Sequence, residues 1–196
     1  LQEGQFWESL VSAANLKLSE LTVIIDHNKL QSDTLVSKVS DLGDLKAKLT
    51  AFGWHVSRCD GNDLVAFSKT LAATKRVTDQ PKVIIADTIK GKGVSFMEHT
   101  SIDSDVELYK FHSGAPNEEN YTKAAQELIV AANERLKCAG TTGLKLEILI
   151  REAVVSPEHT QRLIPAYTDA LLDQARKNSK IVALDADLVL DTGLIP

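Results

Sequence analysis

The sequence is short of cysteine, the residue that cross-links small extracellular domains, with two in 196 residues, and it has one methionine and five prolines. Cys59 and Cys138 belong to no Cys-x-x-Cys pair, so there is neither a disulfide framework nor a thiolate metal cluster, and both read as reduced, structural thiols. The five histidines are scattered with no His-x-x-x-His pair, which removes the usual zinc pattern. No apolar run approaches the roughly 20 residues that a membrane helix needs, and no charged-then-apolar leader opens the chain. A Gly-x-Ser-x-Gly elbow is missing. Gly91-Lys92-Gly93 follows an expected strand, but Phe96 stands where a dinucleotide fingerprint needs its third glycine. There is no internal repeat or low-complexity tract. With 22 basic and 27 acidic residues the net charge is −5, which argues against a nucleic-acid surface. These absences describe a soluble, cytoplasmic protein with no nucleic-acid or membrane partner. Its first residue is Leu1 rather than Met and its last, Pro196, follows soon after an expected strand, so both ends read as cut.

What is present is an alternation of strands and helices. Residues 3–17 carry Phe6, Leu10, Ala13, Ala14 and Leu16 mostly at helical spacing, with Glu3 and Glu8 in the first turns, where negative charge suits the helix dipole. Residues 21–25 are a continuous apolar, β-branched run of the kind that fills a strand covered on both faces. Residues 41–52 predict a helix with Leu42, Leu45 and Leu49 on one face, ended by Gly53. A short strand follows at 54–59, then a helix at 63–76 with Leu64, Phe67, Leu71 and Ala72 inward, and a strand at 82–86. This succession makes an α/β fold, a parallel sheet with helices on both faces. Residues 91–120 have no sustained period and predict a long ordered loop, a length usually tied to function or disorder. Helices are expected at 118–138 and 164–177, the latter with Pro165 in its first turn, and a strand at 179–185. Ligand groups in open parallel sheets sit just past the carboxyl ends of strands. Asn28 is therefore either a turn residue or a ligand, while Lys90 taken alone reads as a solvated strand-end lysine and His112 as a solvated loop histidine.

The segments Leu1-Gln2-Glu3-Gly4-Gln5, Val23-Ile24-Ile25-Asp26-His27-Asn28-Lys29-Leu30, Phe52-Gly53-Trp54, Asp60-Gly61-Asn62-Asp63, Lys90-Gly91-Lys92-Gly93-Val94 and His112-Ser113-Gly114-Ala115-Pro116 occur in that order. Together they resemble transketolase, and Ala183-Leu184-Asp185-Ala186-Asp187-Leu188 resembles the opening strand of that family's pyrimidine-binding domain. The resemblance implies a thiamine diphosphate-binding fold, with a diphosphate-binding domain at residues 1–140, a linker at 141–160 and the start of a pyrimidine-binding domain at 161–196. It implies transfer of a two-carbon ketol unit from a ketose phosphate to an aldose phosphate, as in the pentose phosphate pathway, with thiamine diphosphate and Mg2+, for which Ca2+ or Mn2+ can substitute. The metal would take the Asn28 side chain and the Leu30 carbonyl. The family's third ligand, an Asp in a Gly-Asp-Gly triplet, would lie just before Leu1, and its activating glutamate beyond Pro196.

By the same resemblance Lys90 and His112 lie against the cofactor, His112 is catalytic, and Asp187 is near the thiazolium. Glu3 resembles a glutamate that links two active sites across a dimer; by its position alone it is a helix N-terminal carboxylate. The spacing from Lys90 to His112 exceeds the family's, which marks an insertion around 101–109. Ile164 stands where the family often has a phosphate-contacting arginine, with Arg162 two residues earlier. A homodimer, or a partner subunit carrying the missing domain, is implied. The alternatives are another thiamine diphosphate enzyme, such as a deoxyxylulose phosphate synthase or a 2-oxoacid dehydrogenase component, and a non-catalytic module, since a chain of these limits is expected to show no turnover.

Overall fold

The computed structural model describes residues 1–99, 108–147, 149, 162–185 and 192–194. Helix α1 (Gly4–Asn15) leads into strand β1 (Thr22–His27), a two-strand hairpin of β2 (Leu30–Gln31) and β3 (Thr34–Leu35), and a single turn of helix, α2 (Val36–Val39). Then come α3 (Leu45–Ala51), β4 (His55–Asp60), α4 (Leu64–Thr74) and β5 (Lys82–Asp87). A 3-10 turn (Ser95–Met97) and the helices α5 (Glu118–Cys138) and α6 (Leu163–Lys177) complete the described elements.

The sheet runs β1-β5-β4, with β5 in the middle and parallel to both neighbours. Position explains sequence here. Side chains alternate across a strand, and β5 has a helix layer on each side. Its Val83 and Ile85 join Ile25 of β1, Leu10 and Ala13 of α1, Leu45 and Leu49 of α3, and Trp54 in one buried cluster. On the opposite face α4 packs over β4 and β5, and Ile84 is likewise fully buried. Each such Leu or Ile contributes about 1.5–3 kcal/mol of transfer free energy. The indole N–H of Trp54 donates to the Leu10 carbonyl at 3.0 Å, so the buried ring leaves no polar atom unpaired. Ile24 of β1, on the α4 side, stays 52% exposed.

The expected sheet and its two helix layers are present, and several local expectations need correction. Helix α1 stops at Asn15 because Lys17 takes a left-handed conformation (φ 49°), and Leu16 is consequently exposed instead of core. Glu3 is the N-cap residue, one place outside the helix, and its carboxylate makes no capping bond. The helix expected from residue 41 begins at Leu45. The Asp41 carboxylate accepts from Gly43 N–H at 2.9 Å in a non-helical turn, and Asp44 accepts from Ala47 N–H at 2.9 Å and caps α3. In α4, capped by Asp63, Phe67 and Leu71 are half-buried while Leu64 and Ala72 face outward, and Thr74 is the fully buried residue. The hairpin and α2 have no counterpart among the expected elements. Among the described residues no strand forms at 179–185; strands exist through ladder bonds to a neighbour, and none of the described strands pairs there. Cys59 and Cys138 are free, but Cys138 is exposed at the end of α5 and supports no packing. Helix α5 matches its expected bounds, with Asn117 as cap, Glu118 and Glu119 in its first turn, and Arg135 and Lys137 in its last, as the helix dipole favours.

Candidate functional site

A parallel sheet delivers the carboxyl ends of all its strands to one edge. Here that edge collects Asp26 and His27 of β1, Arg58 and Asp60 of β4, and Asp87 of β5, with His27 and Asp60 both in register with Asp87.

The first group surrounds Asn28. Lys29 has φ 65°, which reverses the chain directly after β1. The Asn28 side-chain oxygen accepts from Leu30 N–H at 2.9 Å, and its amide donates to Asp26 at 3.4 Å. Asp26 also accepts from the Thr88 hydroxyl, which fixes it to the end of β5. A cavity of about 140 Å3 opens beside them, with Leu1, Asp26, His27, Asn28, Leu30 and Asp41 in its wall. An amide oxygen has two lone pairs, so Asn28 can keep its bond to Leu30 and still offer a donor to a cation. An Asn oxygen and a backbone carbonyl are hard ligands, which fit Mg2+ with its remaining positions on phosphate and water. Among the described residues no three or more His, Cys, Asp or Glu side chains group into a metal site.

The second group is built on Lys90. Its Nζ donates to the Ser32 carbonyl at 2.9 Å and to His112 Nδ1 at 2.8 Å, an arrangement that assigns the His112 ring proton to Nε2. The ammonium also lies 4.8 Å from the centre of the Tyr109 ring, within cation–π range. Its backbone is clasped as well: Lys90 N–H donates to His99 Nδ1 at 3.1 Å, and His99 N–H donates to the Lys90 carbonyl at 3.0 Å. Burial lowers the Lys90 pKa, and the charges of Asp33 and Asp26 oppose that shift. Burial likewise lowers His99, aided by Lys29, which suits its acceptor role. The hub is Tyr109, only 5% exposed, whose N–H donates to the Asp33 carbonyl at 2.7 Å and whose hydroxyl donates to the Met97 carbonyl at 2.8 Å. Gly91 has φ 81°, and a Cβ there would overlap the Met97 carbonyl.

The third group centres on Asp87. Its Oδ1 accepts from His27 Nδ1 at 2.7 Å and from Arg58 Nη2 at 2.8 Å, and its Oδ2 accepts from Arg58 Nε at 2.6 Å. The two-point bond from Arg58, with His27 adding to it, holds the carboxyl well below the usual range, at about 2, against a smaller opposing effect of burial.

Of the residues singled out from sequence, Asn28 and Leu30 line one cavity and Lys90 touches His112. Glu3 is exposed at the start of α1. Arg162 is the N-cap residue of α6. Asp187 and most of the 101–109 insertion lie outside the described residues. Sequence reasoning missed Arg58, Asp87, His99 and Tyr109. A polar residue follows each of the three expected strands, Asp26, Asp60 and Asp87, and that was a usable signal for Asp87; Arg58 lies inside its strand, and His99 and Tyr109 sit in an aperiodic stretch, so these three offered none.

The frame is that of a parallel α/β domain whose polar side chains gather past the strand ends, where such folds place their ligand sites. A family model described as "Transketolase, thiamine diphosphate binding domain" matches residues 1–127, and the chain belongs to the transketolase family. It is 32% identical over 126 residues to one of the subunits of the apulose-4-phosphate transketolase of Phocaeicola vulgatus, a match covering 64% of this chain and 42% of that protein. It is 26% identical over 190 residues to human transketolase, covering 95% of this chain and 30% of that protein. Among solved structures, a transketolase from Campylobacter jejuni aligns with a TM-score of 0.56 at 28% identity, over 65% of this chain and 18% of that one. The chain thus spans less than half the length of these relatives.

Proposed function

We propose that this chain supplies the diphosphate-binding part of a site that uses thiamine diphosphate and Mg2+ to move a two-carbon ketol unit from a ketose phosphate to an aldose phosphate. The observation that carries the reading is the contact of Lys90 Nζ with His112 Nδ1 at 2.8 Å, in a loop folded against the end of the sheet that also bears Asn28. Cationic donors beside hard oxygen ligands are what a metal-bound diphosphate needs. Asn28 and the Leu30 carbonyl would hold the cation, and Lys90 would neutralise a phosphate oxygen. His112, with its proton on Nε2, would donate to a phosphate or substrate oxygen and carry a proton there. Thiamine diphosphate, when bound, supplies the electron sink for breaking the carbon–carbon bond.

The same reading assigns residues 1–140 to the diphosphate domain, 141–160 to a linker and 161–196 to the opening of the pyrimidine domain, with Asp187 near the thiazolium and Glu3 in dimer communication. A homodimer or a partner subunit completes the site, in the cytoplasm. The human relative, matched across 190 residues, supports the two-domain span. Two relatives favour a less common sugar and a site completed by a second polypeptide. One is the Phocaeicola protein, a single subunit of an apulose-4-phosphate transketolase. The other is the 6-deoxy-6-sulfo-D-fructose transketolase subunit SqwG of Clostridium sp., 38% identical over 96 residues, covering 49% of this chain and 35% of that one. Direct titration of the whole protein with thiamine diphosphate, with and without Mg2+, tests cofactor use. A ketol-transfer assay with xylulose phosphate and ribose phosphate, then with other ketose phosphates, tests the reaction. Cofactor binding without transfer to any aldose phosphate would refute the transferase assignment.

A further inference from the structure

The Asp87 cluster takes no part in the proposed chemistry, yet it occupies the same edge. Two side chains, His27 of β1 and Arg58 of β4, meet on the single carboxylate that β5 places between them. All three stand on the same face, because His27 and Asp87 are register partners and Arg58 lies two residues before Asp60, the other partner. Asp87, ionised, has only lone pairs to offer, so His27 Nδ1 must carry the ring proton to bond it. Arg58 Nη2 and His27 Nδ1 are 3.5 Å apart, two donors converging on one oxygen. That leaves His27 in one tautomer and one orientation. His27 sits between Asp26 and Asn28, and all three line the cavity of about 140 Å3.

We infer that Arg58 and Asp87 are positioning residues of this site: by clamping His27 they fix the Asp26–Leu30 turn whose oxygens would receive the metal-bound diphosphate. The inference rests on the proposed cofactor use and extends it to two residues with no ligand contact of their own. A carboxylate braced by arginine and bound to an imidazole is a stiff element; loss of a group bonded directly to a metal ligand typically costs about 10- to 100-fold in metal affinity, and a clamp on the adjoining residue belongs at the low end of that range. Arg58 suits the task better than lysine would, since its planar fork bonds both oxygens of Asp87 at once.

The test uses Arg58→Ala and Arg58→Lys in the whole protein. The Arg58 side chain is 44% exposed, so both variants remove a surface group without opening the core. The dissociation constant of thiamine diphosphate at saturating Mg2+, and that of Mn2+ alone by its paramagnetic signal, are measured beside the thermal midpoint. Both constants are expected to rise on the order of tenfold in Arg58→Ala, with Arg58→Lys in between, since it keeps the charge and loses the fork. Unchanged constants with a lowered thermal midpoint would mean a staple of structural value only and would overturn the inference. If Arg58→Ala fails to fold, Arg58→Lys decides on the same readout. A wild-type protein that binds neither probe overturns the cofactor reading itself, and the inference with it.

Discussion

Gly91 shows how much a single position can constrain. Its φ of 81° lies where side chains are strained, and a Cβ would meet the Met97 carbonyl that accepts from the Tyr109 hydroxyl. Gly91→Ala is expected to lose about 1–3 kcal/mol, read from urea titration, and to weaken cofactor binding because Lys90 is the preceding residue. A loss in stability with unchanged cofactor affinity would separate the loop from the site. Asp87 gives the pH counterpart. Its carboxyl is shifted down from 3.8 to about 2 in the folded protein, so its contribution to stability is complete above pH 4 and is lost as pH falls from about 4 through 2. Asp87→Asn should therefore lower the thermal midpoint at pH 7, and the gap from wild type should close as both are acidified toward pH 2. A gap of constant size across that range would show that ionisation is not what matters there. Residues like these define how far sequence could be read. Asn28, Lys90 and His112 were visible through the ordered motifs that resemble transketolase; position past a strand end or beside glycines alone left each as readily a turn or solvated residue. Tyr109 was not, because its role comes from a backbone bond to Asp33, 76 residues earlier, and no periodicity encodes that.

At the scale of elements, legibility followed burial. The β5 segment reads as a strand from sequence because every residue from Lys82 to Ala86 is buried, so its composition has little freedom. Even Lys82, 4% exposed, is accommodated by donating from its Nζ to the Ser19 and Val77 carbonyls. The α4 helix was located correctly, with Phe67 and Leu71 on its half-buried face, but Leu64 and Ala72, expected inward, face outward, and so does Val65. The missed hairpin has only two residues per strand, below the length at which alternation is detectable. Two measurements follow from this contrast. Ile84→Ala should cost about 2–5 kcal/mol, whereas Ile24→Ala, half exposed on the neighbouring strand, should cost clearly less; equal losses would mean that the α4 face of β1 is covered in solution. Asp63→Ala removes the carboxylate that accepts from Val65 and Ala66 N–H at 2.8 and 3.1 Å and should cost about 1 kcal/mol in chemical denaturation.

For the whole molecule, the charged edge and the helix-covered sheet are one object: the strands that make the core also carry Asn28, Arg58 and Asp87 at their ends. Ligand binding and folding are consequently linked. Thiamine diphosphate with Mg2+ at about 100 times its dissociation constant should stabilise the fold by about 2.7 kcal/mol, seen as a rise in thermal midpoint that a chelator reverses. A midpoint indifferent to both additions would argue against the metal-bound diphosphate. No helix among the described residues is long and apolar enough to cross a membrane.

The strand order β1-β5-β4 sets a schedule for synthesis on the ribosome. The strand that joins the other two is the last of the three to be made, so β1 and β4 can emerge and wait without any partner between them. Until Lys82 to Asp87 leave the exit tunnel, β1 and β4 lack the partner that joins them among the described strands, and an unpaired strand edge is of the kind that attracts other chains. When β5 arrives, both ladders close around it, and Asp87 reaches His27 and Arg58 in the same event. A nascent chain arrested before β5 would thus present β1 and β4 to a chaperone without the strand that joins them, and one arrested a few tens of residues later would present all three joined.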